Sequence, residues 1–367
     1  MREPTPVPTH NALAVRVWLL CVAAMIFLTL VVGGATRLTE SGLSITEWKP
    51  VIGMVPPLSQ SAWEAEFKAY QAIPQYKELN RGMSLAQYKR IYWWEWTHRL
   101  LARLVGMVFL LPFLFFVWRG WVPPRLKARL WMLFGAGAFL GAVGWWMVSS
   151  GLAGSGRVSV SQYRLAFHLT LATAIFAGVL WTAQQIAYRR PVQAPARVRI
   201  GALAIAALVL LQIYLGALVA GSHAGWVYNT WPLIDGSFLP SFGQFFHDVP
   251  AWRNFFENTL TVQFDHRMVA YTIWLLAVLH AFDAWRVRRE ARSAILLAVL
   301  VTLQAALGIV TVLHGPPVSF PFAYHSLALA HQMLAIVVFT LAIVHAERLW
   351  HRVDLTAPRP APLRAAA

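Results

Sequence analysis

Four histidines recur at matching places in the two halves of a strongly apolar chain. His98 and His266 each open a His-Arg pair before an apolar run, 168 residues apart, and His168 and His331 lie in a second pair of similar segments, 163 apart. Burying an imidazole in an apolar layer is costly, so four repeated burials require a common partner. Two imidazoles from facing helices of a bundle suit a six-coordinate haem iron, because the porphyrin supplies the other four ligands. The sequence therefore predicts two haem sites, with these histidines as axial ligands.

Zinc or copper is the alternative partner for these histidines. Two imidazoles per half, without nearby cysteine or obvious carboxylate ligands, make a thin shell for either metal. The single cysteine, Cys21, lies in the first apolar run and excludes an intramolecular disulfide and a cysteine metal cluster. We interpret Cys21 as a packing residue.

A second haem arrangement stays open in the second half. His280 and His345 each lie 14 residues after one of the predicted ligands, on nearly the same helical face and about 21 Å away. Two haems stacked across the membrane would need such spacing. The corresponding positions of the first half are Pro112 and Thr182, and both extra histidines lie near a basic boundary where an interfacial histidine is ordinary. The stacked arrangement is therefore the less favoured one.

Charged residues adjoin the histidines, and they differ between the halves. Arg99 and Arg267 directly follow their histidines and could pair with haem propionates, or simply reach the membrane interface. Glu95 lies three residues before His98 on the same helical face, whereas its counterpart is Gln263. This carboxylate could relay protons or stabilise positive charge, or be a helix-start acid favoured by the helix dipole. An acid beside one site and an amide beside the other suggests divided labour.

The composition requires a membrane protein. Of 367 residues, 58% are hydrophobic and only 13% are charged, too apolar a balance for a soluble domain of this size. Apolar runs long enough to cross the hydrocarbon layer predict eight spans, at residues 14–36, 96–118, 129–149, 165–187, 200–220, 267–285, 293–313 and 327–347.

The basic residues predict the orientation of these spans. The net charge of +16 could suggest nucleic acid, but the cations follow the positive-inside pattern, so we expect no nucleic-acid partner. The first run continues into "GGATR" without a convincing cleavage site, which disfavours a signal peptide. We expect a multi-pass protein of the bacterial inner membrane with both termini in the cytoplasm. The inner connections carry Arg119, Arg125, Lys127 and Arg129; Arg189, Arg190, Arg197 and Arg199; and Arg286, Arg288, Arg289 and Arg292.

Internal repeats indicate a duplicated chain. "LGAVGWWMVSSG" (140–151) matches "QAALGIVTVLHG" (304–315), so that Gly144 corresponds to Gly308, where a flat macrocycle could approach the backbone. We predict an all-α integral membrane protein, built as two tandem four-helix bundles, 1–195 and 196–367. "SAWEAEFKAYQAI" in the first external loop has spacing suited to an interfacial helix on lipid. The first external loop also matches the second at an offset of 183, with Gly42, Trp48, Gly53 and Pro57 matching Gly225, Trp231, Gly236 and Pro240.

Together these motifs resemble the haem A synthase family. The resemblance is carried by "GGATRLTESGLSITEWKPVIGMVPPLS" after the first run, "EWTHRLLARLVG" opening the second, the four histidines and the duplicated layout. It covers residues 14 to 350. The chain looks most like the alphaproteobacterial and mitochondrial branch, because it lacks the paired loop cysteines of the other bacterial branch.

The resemblance implies an oxidation of the porphyrin itself. Members oxidise the C8 methyl group of haem O to a formyl group by two successive hydroxylations, through the hydroxymethyl intermediate haem I, in haem A biosynthesis for cytochrome oxidase. It implies a haem b cofactor between His266 and His331, and the substrate haem O between His98 and His168. Glu95 matches the acid of the family's Glu-x-x-His motif and is the catalytic candidate. With this assignment, Arg267 adjoins the cofactor and Arg99 the substrate.

The proposed activity requires partners, and two other functions stay open. Pathway logic favours the prenyltransferase haem O synthase as a partner, because handing over an insoluble product favours proximity, and an electron-transfer partner is required. The residues do not fix the oligomeric state, so a homo-oligomer stays open. A di-haem cytochrome b that carries electrons without porphyrin chemistry is the alternative function, and a haem transporter or chaperone is a third.

Overall fold

Long helices dominate the computed structural model, which describes residues 10–186, 191–315 and 321–351. Among these residues, eight helices are long and apolar enough to span a membrane, which confirms the eight predicted spans, and no β-strand occurs. The fold is therefore that of an all-α, multi-pass membrane protein. We number the eight helices α1 (His10–Leu38), α2 (Leu85–Trp118), α3 (Pro124–Ser149), α4 (Gln162–Ile186), α5 (Ala196–Gly221), α6 (Thr259–Arg286), α7 (Ala291–Leu313) and α8 (Pro321–Trp350).

Helix α2 begins three turns earlier than the hydropathy pattern predicts. The Ser84 hydroxyl accepts from the backbone N–H of Gln87, and the Gln87 side chain accepts in return from the Ser84 N–H, which is a complete capping box. The polar and aromatic residues 85–95 hide this start from a search for apolar runs. Glu95 consequently lies in the third turn, beyond the reach of the helix dipole. The interpretation of Glu95 as a helix-start carboxylate is therefore wrong.

The helices form two rings of four. In the first, α1, α2, α3 and α4 each contact their neighbours and α4 closes on α1; in the second, α5 to α8 repeat this pattern and α8 closes on α5. Between the rings, α4 packs on α5 and α8 packs on α1, while α4 also contacts α8. Exchanging the two halves exchanges the first two of these contacts. A tandem duplication would produce this arrangement, and the division at residues 195 and 196 stays a prediction.

The connections on the outer side are themselves structured. Between α1 and α2 lie a 3-10 helix at Ile52–Met54 and helices at Gln60–Gln71 and Pro74–Glu78. The predicted interfacial helix is thus present, but its Trp63 and Tyr70 are buried against Tyr88 and Tyr92 of α2 rather than facing lipid. The connection between α5 and α6 contains short helices at Ala224–Val227, Phe242–Phe245 and Ala251–Phe255.

Two expectations need comment. Cys21 is exposed on the surface of α1, so its interpretation as a packing residue is wrong. Arg189 and Arg190, and the terminal residues 1–9 and 352–367, lie outside the described residues. The cytoplasmic placement of both termini stays a prediction.

Candidate haem-binding sites

Each of the four predicted ligands packs one edge of its ring on a glycine of the preceding helix. A Cβ added to any of these glycines would lie within 3.1 Å of the imidazole Cε1, so a larger residue would displace the ring. The backbone of one helix therefore fixes the histidine of the next. The distances from such a Cβ to Cε1 are 2.7 Å for Gly33 and His98, 3.1 Å for Gly144 and His168, 3.1 Å for Gly216 and His266, and 2.8 Å for Gly308 and His331.

These contacts revise the sequence interpretation of the glycines. Gly144 and Gly308 accommodate an imidazole, whereas a macrocycle was expected against their backbone. Gly33 and Gly216 were missed altogether. They are 183 residues apart, the same offset that relates the two external loops, so extending that match into α1 and α5 would have found them.

The structure brings the histidines together in the predicted pairs. His98 lies within electrostatic range of His168, and His266 within range of His331. Each pair joins the second and fourth helices of its ring. The structure holds these four imidazoles inside the bundle, as haem ligation requires, and their role as ligands stays a prediction.

Hydrogen bonding distinguishes the two pairs. Gln212 Nε2 lies 3.0 Å from Nδ1 of His266 and donates to the carbonyl of His266 at 2.9 Å. Gln304 repeats this at 3.1 and 3.0 Å with His331. A metal-bound histidine almost always donates its other ring N–H to an acceptor, whereas here the amide N–H group of each glutamine faces the ring as a donor. The glutamines hold the rings of the second pair in place, and their own amide oxygens have no partner among the described residues.

The first pair lacks the supporting side chains, and within the described part of the chain only the Thr29 backbone makes a polar contact with His98. Nδ1 of His98 and Nδ1 of His168 are buried without a hydrogen-bond partner among the described residues. The positions that correspond to the two glutamines are Thr29 and Leu140. A buried polar group without a partner costs about 1–3 kcal/mol. The first pair is consequently less rigidly held, which suits a porphyrin that enters and leaves.

Glu95 is buried with all of its oxygen atoms engaged. It is 2% exposed. Its Oε2 accepts from the Ser44 hydroxyl and from the Ile45 N–H, both at 2.8 Å. Its Oε1 accepts from Nε and Nη2 of Arg99 at 3.1 and 2.6 Å. The acid is thus fixed against the first external loop.

The two arginines that follow the histidines hold the external loops. Each guanidinium donates to carbonyl groups of the loop that precedes its helix, and the acceptors of the second half lie 183 residues after those of the first. The predicted propionate contacts are not tested by this finding, but most donors of Arg99 are occupied. Arg99 donates to Ile45 O (2.9 Å) and Glu47 O (3.0 Å), and Arg267 donates to Tyr228 O (3.2 Å) and Thr230 O (2.8 Å).

The acid of one half and the amide of the other meet corresponding loop residues with opposite polarity. Glu95 accepts from the N–H of Ile45. Gln263 donates through Nε2 to the carbonyl of Tyr228, at 3.2 Å, and Tyr228 corresponds to Ile45 by the offset of 183. The acid therefore meets a backbone donor in the first half, and the amide meets a backbone acceptor in the second.

His280 and His345 form a separate buried pair at the inner end of the second ring. Their Nε2 atoms lie 2.8 Å apart, and the Ser293 hydroxyl lies 2.8 Å from Nδ1 of His345 while donating to the Glu290 carbonyl. Two axial ligands, each with a metal–nitrogen bond of about 2 Å, would place their Nε2 atoms about 4 Å apart, so a haem iron does not fit between these two atoms as they stand. At 7% and 1% exposure they are not ordinary interfacial histidines. They connect α6, α7 and α8.

The first ring fills the same place with aromatic rings. Trp18 corresponds to Gly201, the glycine that lies against His280. Trp18 stacks on Phe113 with centroids 6.1 Å apart and meets Phe109 edge to face at 5.2 Å. The inner ends of the rings thus differ in polarity.

Comparison with known proteins places the chain in a family. The family model described as cytochrome oxidase assembly protein, COX15-CtaA, matches residues 16–343. The chain is 55% identical over 348 residues to "Heme A synthase" of Rhodopseudomonas palustris, which covers 94% of this chain and 91% of that protein. It is 55% identical over 359 residues to "Heme A synthase" of Bradyrhizobium diazoefficiens, covering 97% of each. On this evidence the chain belongs to the COX15-CtaA family of cytochrome oxidase assembly proteins.

Proposed function

We propose that this protein is a haem A synthase, which oxidises the C8 methyl group of haem O to a formyl group. The names of its relatives support the product, and the two histidine pairs, whose rings each pack on a glycine of the preceding helix, support a haem substrate. The observation that carries the proposal is the difference between the pairs. One pair has supporting glutamines, and the other has unpartnered ring nitrogens and a neighbouring acid.

This difference assigns a role to each half. His266 and His331, fixed by Gln212 and Gln304, would hold haem b. When bound, haem b supplies the electron transfer that side chains cannot perform. His98 and His168 would bind haem O, whose product has to leave. A prenylated porphyrin is strongly lipophilic, so a site between membrane helices matches its partition.

The chemistry takes place on one carbon of the substrate. Each of two hydroxylations adds one oxygen atom to the methyl carbon and withdraws two electrons from it, and the resulting geminal diol loses water to give the formyl group. Written with water as the source of the oxygen, each hydroxylation releases two protons and passes two electrons to the external electron-transfer partner. We assign proton acceptance to the Glu95 carboxylate, whose contact with the Ser44 hydroxyl connects it to the external loop. The four donors on Glu95 keep its oxygens in fixed positions, and such prearrangement lowers the cost of charge movement.

The proposal includes a location and partners. The basic connections would face the cytoplasm, with both termini on that side of the inner membrane, and the histidine pairs near the outer side. Haem O synthase would supply the substrate. A separate protein or quinol would exchange electrons with the second half, and lipid surrounds the helices. Self-association of the chain is compatible with this arrangement.

Pigment extraction tests the proposal. The protein would be purified from cells that also produce haem O, and its pigments separated by chromatography. We expect haem A or the hydroxymethyl intermediate beside haem B, and neither new pigment in the His98→Ala variant. Haem B alone in the wild-type protein would contradict the proposal and favour an electron carrier.

A further inference from the structure

A cavity lies between the first external loop and the outer third of α2. Its charged and polar lining consists of Lys49, Arg99 and Arg103 with Glu47, Glu66 and Tyr92. Its apolar rim includes Ile52, Val55, Pro56 and Pro57. A polar floor under an apolar rim suits an amphiphile with an anionic head.

Only one of the three cations in this cavity lacks an acid. Lys49 pairs with Glu47 at 2.8 Å and with Glu66 at 3.0 Å, and Arg99 pairs with Glu95. Arg103 donates to the carbonyls of Pro50 and Lys49, both at 2.8 Å. Its Nη1 has no partner within the described part of the chain. Because Lys49 is paired with two acids, the three cations and the three acids balance, and Arg103 is the cation without a direct acid partner among the described residues.

The position of Arg103 along α2 places that charge at membrane depth. Trp118, at the inner end of α2, is followed by Arg119 and Trp121, residue types typical of the inner boundary. Arg103 lies 15 residues before Trp118, or about 22 Å along the helix. The hydrocarbon layer is about 30 Å thick, so Arg103 lies inside its outer part, and helix tilt would place it deeper. A cation there requires a counter-ion.

The loop at this level is apolar and exposed. Arg103 holds the carbonyls of residues 49 and 50, so the segment that follows, 51–58, lies beside it. Its side chains would be unusual in water, where exposed apolar patches of this kind mark contact surfaces. The exposed fractions are 74% for Val51, 81% for Ile52, 59% for Val55 and 83% for Leu58. Exposure and helix register thus indicate independently that this segment lies among acyl chains.

We propose that this cavity binds the phosphate headgroup of an outer-leaflet phospholipid, with Arg103 as the ion-pair partner. Guanidinium groups bind phosphate oxygens strongly, and Nη1 is the nitrogen of Arg103 that has no partner among the described residues. The acyl chains lie along Ile52, Val55 and Leu58. The corresponding position in the second half is Tyr271, whose hydroxyl accepts from Trp231 Nε1 at 2.9 Å. The site is accordingly a property of the first half, and it does not depend on the proposed reaction.

Lipid binding to the purified full-length protein tests the site. Delipidated protein in detergent would be titrated with phosphatidylglycerol and, separately, with diacylglycerol of the same acyl chains, and bound lipid counted by native mass spectrometry. We expect phosphatidylglycerol to bind and Arg103→Gln to weaken it at least tenfold, with Arg103→Lys intermediate. Arg164→Gln is the matched control, since Arg164 also donates to a carbonyl, that of Trp146, at the outer end of α4. Equal binding of diacylglycerol, or unchanged binding by Arg103→Gln, would overturn the proposal.

Two further measurements distinguish a bound phospholipid from another ligand and from a misfolded variant. If metal-free protoporphyrin displaces the phospholipid and Arg103→Gln weakens the porphyrin alone, the occupant is a porphyrin carboxylate and the lipid assignment is wrong. In a Cys21→Ser background, a fluorophore on Leu58→Cys should be quenched by lipid with a doxyl group near the headgroup. The same fluorophore on Gly156→Cys, in an external turn, should not be. A water-like emission at residue 58 would also overturn the proposal.

Discussion

Gln332 of α8 lies against Gly34 of α1, across the boundary between the two rings. Its Nε2 donates to the Leu30 carbonyl at 2.9 Å, and a Cβ on Gly34 would lie 2.3 Å from its Oε1. The neighbours of this contact are His331 on one side and Gly33, which packs on His98, on the other. The contact is therefore adjacent in sequence to His331, and it is connected to His98 through Gly33.

The counterpart of this contact is apolar. By the same offsets, Gln332 corresponds to Leu169 of α4, and Gly34 to Ala217 of α5. Leu169 packs against the hydrophobic cluster that contains Ala217. The polar connection between the halves is thus made on the side of α1 and α8.

Replacing Gln332 by leucine should affect the first site more than the second. The change removes one interhelical hydrogen bond, worth about 1 kcal/mol net, which corresponds to about a fivefold loss of porphyrin affinity at His98. Titration with haem, followed by its absorption spectrum, would measure this. Leu169→Ala, at the apolar counterpart, should leave the first site within about twofold by the same reasoning. An equal loss at both sites would show that Gln332 only supports the fold.

Gly33→Ala should remove the substrate porphyrin while haem b is retained. The new Cβ would lie 2.7 Å from Cε1 of His98, so the ring has to move. Gly141→Ala is the control, because nothing lies within 4 Å of a Cβ at that position. The readout is the ratio of the two pigments per protein. Normal pigment ratios in Gly33→Ala would contradict the role of this contact.

Glu95→Gln should abolish oxidation with little loss of haem b. The amide keeps the shape of the side chain but cannot accept a proton, and loss of such a group lowers rates by about 10²–10⁴-fold. The measurement is the conversion of haem O in membranes that contain equal amounts of protein. Gln263→Ala is the matched variant, because it alters the corresponding residue of the second half, and it should keep converting. If Glu95→Gln converts haem O near the wild-type rate, Glu95 is not the proton acceptor and serves only to hold the external loop.

Acid pH should destabilise the protein through His223. Burial, together with the positive charge of Arg37, lowers the pKa of His223 from 6.5 to about 4. Arg37 Nη2 lies 3.1 Å from His223 Nε2 and also donates to the Ala220 carbonyl. Between pH 6.5 and 4 the unfolded chain binds more protons at this residue than the folded one. The free energy of unfolding therefore falls as the pH falls through this window, and above the window His223 causes no loss of stability.

Thermal unfolding in detergent between pH 7.5 and 4.5 would measure this effect. Carboxylates also contribute to the slope, so the comparison is with His223→Gln, in which the loss of stability with acidification should be smaller. Identical slopes would mean that His223 does not contribute.

Sequence predicts the membrane spans, which the structure confirms, and it proposes the histidine pairs, because both leave periodic or repeated patterns. Eight apolar runs mark the spans, and the offsets of 168 and 163 mark His98, His168 and their counterparts. The start of α2 was missed because its first turns are polar and aromatic, and a capping box rather than hydropathy defines Leu85 as the first helical residue.

Sequence periodicity and spacing could not predict contacts between residues that are distant along the chain. The partners of Glu95 are about 50 residues away in a loop without regular structure, and nothing in its spacing to His98 reveals them. The bond between His280 and His345 likewise depends on how α6 and α8 are rotated about their axes. Helical periodicity gives the face of each histidine, but not the side chain that it meets.

The opposed contacts of Glu95 and Gln263 have an evolutionary consequence. If the halves descend from one ancestral unit, an acid at position 263 would put a carboxylate oxygen against the Tyr228 carbonyl, and an amide at position 95 would put its NH₂ group against either the Ile45 N–H or the Arg99 guanidinium. A single codon change at either position would therefore be penalised until the loop also rearranged. Two gene copies that once acquired this difference would be held apart by it, so that neither could easily drift back to the duties of the other.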